Sequence, residues 1–102
     1  EIVFQEKNTK IEKSTVKPTS ELLYQSHQYM NEHWIVLKGV ATIKKNNSSF
    51  KIKKNESTYI AKGDKHKLIN SENINLEIIE VQTGAKVSEE DIIRYEDIYG
   101  RN

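Results

Sequence analysis

The chain has 102 residues, 16 Lys and Arg against 15 Asp and Glu, a formal net charge of +1 and no cysteine. Near balance of charge removes the electrostatic case for nucleic acid, which rests on a clustered basic face. The lack of cysteine removes disulfides and Cys-based zinc sites, and allows a cytoplasmic setting.

No apolar run approaches the ~20 residues that span a bilayer, so no membrane partner is expected. The length suits a single domain over residues 1–102. The chain opens at Glu1, without an initiator methionine, almost directly into a strand-like pattern. A fragment or excised domain of a longer protein is therefore expected. Apolar residues make up 35% and charged residues 30%. A domain this small buries a limited share of its surface on folding, so self-association into a homodimer is expected.

Ile2 to Gln5 is a short β-forming run, and Thr9 to Val16 reads as a second strand, polar on one face. Pro18 breaks it, because proline cannot donate to a ladder. Glu21 to His27 reads as the next strand, with Gln25 and His27 on one face by alternation. Glu32 to Lys38 is a strong strand: Glu32, Trp34 and Val36 face one way, His33, Ile35 and Leu37 the other. Both faces are largely apolar, which predicts a central position in a two-sheet structure.

Val40 to Lys45 and Phe50 to Lys53 form a hairpin around Asn46 to Ser49. Thr58 to Ala61 is a short strand. Lys62 to Lys65 is a tight turn in which Gly63 is the natural φ > 0 residue. His66, Leu68 and Asn70 share one face of the following strand. Ile74 to Thr83 is the longest β run, with Ile74, Leu76, Ile78 and Glu80 on one face. After Gly84 the pattern changes: Ser88 as N-cap with Asp91 three residues later predicts a short C-terminal helix. Its apolar side would carry Ile92, Ile93, Tyr95 and Ile98, and Gly100 would close it. Many short strands spaced by turns predict an all-β sandwich or barrel, with a double-sheet jelly roll the favoured form.

A lone histidine in a strand is more often a surface or satisfied core residue than a ligand, so the chemical case rests on a set. Gln25 and His27 point the same way, and Glu32 follows after a loop able to turn the chain back. His66 opens a strand after the Gly63 turn. Two imidazoles, a carboxylate and an amide oxygen suit a divalent metal. His33, opposite Glu32, reads as a packing or interface residue, and Trp34 as core rather than a platform for a sugar.

Glu32, six residues, then Gly39 resembles the end of the first cupin motif. Gly63, two residues, His66, three residues, Asn70 resembles the second. Within cupins, Glu32 to Val36, Asn55 to Ile60, Leu76 to Gly84, Glu90 to Arg94 and Tyr95 to Arg101 resemble the type II mannose-6-phosphate isomerase domain. That module usually forms the C-terminal part of bifunctional mannose-1-phosphate guanylyltransferase/mannose-6-phosphate isomerase enzymes.

The resemblance implies a cupin-type double-stranded β-helix and a divalent metal held by Gln25, His27, Glu32 and His66. Zinc, manganese, iron, nickel and cobalt are not distinguished. It also implies interconversion of mannose 6-phosphate and fructose 6-phosphate, feeding GDP-mannose and polysaccharide synthesis. A base and a cationic phosphate clamp are needed, with Arg101 and Lys67 as the expected substrate-binding residues. A nucleotidyltransferase domain is the implied covalent partner in the parent protein.

The chain departs from the family at His27-Gln28-Tyr29-Met30, where His-His-His-Arg is usual, and at Ala61, where proline is common. The first departure keeps a second reading open: a catalytically silent cupin module that binds a sugar phosphate or mediates dimerisation of a guanylyltransferase.

Overall fold

The structure, a computed structural model, describes residues 1–22, 24–85, 87 and 90–95. Its strands are β1 (Ile2–Glu6), β2 (Thr9–Val16), β3 (Ser20–Glu21), β4 (Gln25–Ser26), β5 (Met30–Lys38), β6 (Ala41–Lys45), β7 (Ser48–Ile52), β8 (Ser57–Ile60), β9 (His66–Asn70), β10 (Leu76–Gly84) and β11 (Ile93–Arg94). One sheet runs β1-β2-β10-β5-β8, the other β11-β4-β9-β6-β7, and β3 adds to β9. Every pairing is antiparallel. No helix among the described residues is long and apolar enough to cross a membrane.

Alternation decides what each strand buries. On β5, Met30, Glu32, Trp34 and Val36 are buried, while His33 and Leu37 are exposed. On β9, His66, Leu68 and Asn70 are buried. The apolar core joins Val36, Ile78 and Leu76 of the first sheet to Ala41, Ile43, Ile52 and Leu68 of the second. Each such aliphatic side chain, fully buried, contributes roughly 1.5–3 kcal/mol of hydrophobic stabilisation.

The inner face of the first sheet changes character along the strands. One cross-strand row runs Lys10–Gln82–Glu32, the next Glu12–Glu80–Trp34, then Ser14–Ile78–Val36, then Val16–Leu76. The barrel is therefore packed with hydrocarbon at one end and lined with polar groups at the other. Asn70, fully buried, closes the apolar end: its amide nitrogen lies 2.9, 3.1 and 2.8 Å from the carbonyls of Val16, Lys17 and Ile74.

Two expectations are corrected. The strand expected over Glu21 to His27 is split into β3 and β4. Four positions separate Glu21 from Gln25, but only three separate their partners Ile69 and His66. The extra residue breaks the ladder, as a bulge does. The expected C-terminal helix is absent from residues 90–95, where Ile93 and Arg94 instead pair with Ser26 and Gln25 as β11. The carboxylate of Asp91 is taken by the backbone N–H groups of Gln28 and Tyr29, so it does not cap a helix start. Ser88 and residues 96–102 lie outside the described residues.

Candidate metal centre

At the polar end, β5 delivers Glu32, β9 delivers His66, and the residue after β4 delivers His27. Their nearest ligand atoms all lie within 4.8 Å of one another, and all three residues are buried. His27 Nε2 is 2.9 Å from Glu32 Oε2, and His66 Nε2 is 3.6 Å from the same oxygen. The loop that sets His27 is pinned by Gly63, at φ +87°, whose N–H donates to the His27 carbonyl at 2.7 Å.

The outer ring nitrogens fix the tautomers. His27 Nδ1 lies against the Asp91 carbonyl, and His66 Nδ1 is 3.1 Å from the Asp64 carbonyl. A carbonyl only accepts, so each Nδ1 carries hydrogen and a neutral ring turns a lone pair inward at Nε2. His66 Nε2 has no hydrogen-bond partner although it is buried. At 3.6 Å Glu32 is too far to serve as one. His66 Nε2 thus offers a lone pair and Glu32 an oxygen, and His27 Nε2 offers a second lone pair once it gives up the proton it shares with Glu32. This donor set fits a divalent ion of the zinc, manganese or iron type.

Glu32 is itself held in place. Trp34 Nε1 donates to its Oε1 at 3.0 Å, and Gln82 Nε2 lies 3.4 Å from the same oxygen. Burial raises its pKa, but the hydrogen bonds from His27 and Trp34 and the two imidazoles outweigh that and hold it down to about 2. For His27, burial lowers the pKa, while Glu32 and the Asp91 carbonyl reverse the sign and leave it raised. Burial wins at His66, whose pKa is lowered. Glu80 is pushed up to about 7 by burial and by the negative charge of Glu32, against the Ser14 hydroxyl that donates to it at 2.6 Å.

A cavity of about 320 Å³ opens onto this cluster. Its walls include His27, Glu32, Glu80 and Gln25, with Ile92 and Arg94 supplied by the terminal segment. Gln25 therefore stands at the cavity beside the three converging residues. Lys67 does not line it. The Lys67 side chain projects from the face of β9 opposite His66, and its ammonium lies 2.7 Å from Glu21; the expected clamp is corrected on that ground. Arg101 lies outside the described residues.

His33 lies on the outer face with its ring 5.0 Å from Tyr59. Trp34 is buried at 3% exposure, edge-on to His66. Sequence reasoning missed Glu80, Lys10 and Asp91. Glu80 had a signal: a carboxylate continuing the apolar alternation of Leu76 and Ile78. Asp91 had none, since its partners lie more than sixty residues away.

Two antiparallel sheets closed around a mixed histidine–carboxylate cluster define a double-stranded β-helix of the cupin kind, and solved structures show the same fold. A conserved protein with a double-stranded β-helix domain from Klebsiella pneumoniae aligns at TM-score 0.80 and 17% identity, covering 94% of this chain and 82% of that one. More particularly, the chain belongs to the family described as mannose-6-phosphate isomerase C-terminal, which matches residues 1–97.

The alginate biosynthesis protein AlgA of Pseudomonas aeruginosa is 47% identical over 87 residues, 85% of this chain and 18% of that protein. A mannose-1-phosphate guanylyltransferase of Klebsiella pneumoniae is 38% identical over 101 residues, 99% of this chain and 21% of that protein. The chain thus spans about a fifth of the length of these relatives.

Proposed function

We propose that this chain is a metal-dependent sugar-phosphate isomerase domain that interconverts mannose 6-phosphate and fructose 6-phosphate. The observation that carries the reading is the unpartnered, buried Nε2 of His66 converging with His27 and Glu32, in a family that bears the name of this reaction. His27, Glu32 and His66 would hold the ion, with Gln25 as a fourth ligand from the cavity wall. A bound divalent ion supplies a Lewis acid for the carbonyl and neighbouring hydroxyl of the open-chain sugar.

The protein's own groups do the rest. The Asp91 and Asp64 carbonyls fix the two imidazoles, and Trp34 and Gln82 fix the carboxylate. Glu80 lines the same cavity outside the converging triad, with Ser14 holding its carboxyl. It is the group placed to move a proton between C2 and C1. The hydrocarbon packed behind Trp34 keeps water from approaching from the rear of the barrel.

The lengths and names of the relatives support a parent polypeptide in which this domain works beside a nucleotidyltransferase, on the route to GDP-mannose and polysaccharide. A cytoplasmic location and a homodimer belong to the same proposal. A second reading, a binding module without turnover, is favoured by one observation: Met30 is buried in the cavity wall, and Gln28 and Tyr29 beside it carry no charge for a phosphate. Metal analysis paired with a coupled assay on mannose 6-phosphate separates the two. Metal and chelator-sensitive turnover support the isomerase, whereas metal and sugar-phosphate binding without turnover leave the silent module.

A further inference from the structure

We propose that Arg94 is the phosphate-binding side chain of this cavity, an inference that rests on the sugar-phosphate reading above. Arg94 pairs with Gln25 across β11 and β4, and Gln25 pairs with His66 across β4 and β9. Directly opposed residues in an antiparallel ladder project to the same face with Cβ atoms about 5 Å apart. Arg94, Gln25 and His66 therefore form one row, and Arg94 starts about 10 Å from His66. A guanidinium reaching inward from there, and an ion at His66, stand apart by roughly the length of an open-chain six-carbon sugar phosphate. The row orders the ligand: carbonyl end at the buried histidines, chain along Gln25, phosphate at the mouth.

The charges around the cavity favour the same residue. Arg94 is exposed and lines the cavity, and among the described residues its guanidinium enters no hydrogen bond or ion pair. Other cations are committed. Lys67 is held by Glu21, Lys65 sits 4.5 Å over the Tyr95 ring, and Lys10 is buried on the far wall with Glu12 at 3.8 Å. The carboxylates of Glu12, Glu32 and Glu80 also line the cavity, so a dianion is repelled from its interior. It is best received at the rim, where the planar fork of arginine can take two phosphate oxygens at once.

The test compares mannose 6-phosphate with mannose on the zinc-loaded protein by calorimetric or NMR titration, in wild type, Arg94→Gln and Arg94→Lys. Wild type binds mannose 6-phosphate at least about tenfold more tightly than mannose. Arg94→Gln removes most of that preference, and Arg94→Lys, a point charge without the fork, restores part of it. Mannose and zinc affinities stay unchanged in both variants. Equal mannose 6-phosphate affinity in wild type and Arg94→Gln overturns the assignment, as does a loss matched by loss of zinc or of mannose. Turnover separates the two proposals: isomerisation with an unaltered KM in Arg94→Gln removes Arg94 and leaves the isomerase, while Arg94-dependent binding without turnover removes the isomerase and leaves Arg94.

Discussion

Replacing Glu80 by glutamine isolates one buried charge and gives a number to check. Glu80 titrates at about 7 in the folded chain against an ordinary 4.5, so the fold holds this proton more tightly than the unfolded chain does. Below pH 4.5 both states are protonated and the fold has the full benefit. As pH rises toward and through 7, the folded carboxyl must ionise beside Glu32, and the benefit is lost. At about 1.4 kcal/mol per tenfold change in proton affinity, the whole effect is about 3 kcal/mol, most of it between pH 5 and pH 8.

Glu32, held near 2, stays ionised across that window and adds no slope. His27, raised, acts in the same direction as Glu80, and His66, lowered, opposes it. Glutamine keeps the Ser14 hydrogen bond and carries no proton to lose. Urea denaturation of chelator-treated wild type and Glu80→Gln at pH 5 and pH 8 should therefore show the variant gaining roughly 2–3 kcal/mol relative to wild type on moving to pH 8. Parallel pH profiles for the two proteins would refute the reasoning.

Metal affinity, followed with a chromophoric chelator, should fall as pH drops through the raised pKa of His27, because the ion displaces the proton shared with Glu32. A flat profile between pH 5.5 and 8 would place the ion elsewhere. Asp91→Ala should weaken metal binding about 10–100-fold and cost about 1–3 kcal/mol in stability, since it frees the Gln28 and Tyr29 N–H groups and loosens the carbonyl that orients His27. Metal affinity equal to wild type would show that this loop does not set the ring. Asn70→Ala, which strips hydrogen-bond donors from three carbonyls at the apolar end, should cost about 3 kcal/mol in denaturation while leaving metal affinity intact. A variant as stable as wild type would deny the buried amide its structural role.

The parts of this molecule that alternate were legible in the sequence. Glu32, Trp34 and Val36 were assigned to one face of a central strand, and His66, Leu68 and Asn70 to another, because period two is visible residue by residue. The convergence of His27, Glu32 and His66 is suggested by spacing around a loop and a glycine turn, and the set is completed only by the resemblance to the two cupin motifs. The terminal segment is illegible in the sequence for a physical reason. Ser88 with Asp91 has the form of a helix start, and nothing local reveals that the Asp91 carboxylate is bound by Gln28 and Tyr29. The bulge between β3 and β4 was equally hidden, since a one-residue surplus appears only when the partner strand is counted. Lys67 was expected at the site by position, and the alternation that places His66 inside sends its neighbour outside.

The carbonyl of Asp91 and the wall formed by Ile92 and Arg94 have a consequence for how much of the chain the site needs. His27, Glu32 and His66 all precede Gly84, so a chain synthesised that far already holds the three inward-facing groups. It lacks the Asp91 carbonyl that steadies the first imidazole and the rim formed by Ile92 and Arg94. The candidate metal centre is therefore complete only in a chain that includes residues 91–94, and a protein cut after Gly84 would keep the three converging residues without the carbonyl that orients His27.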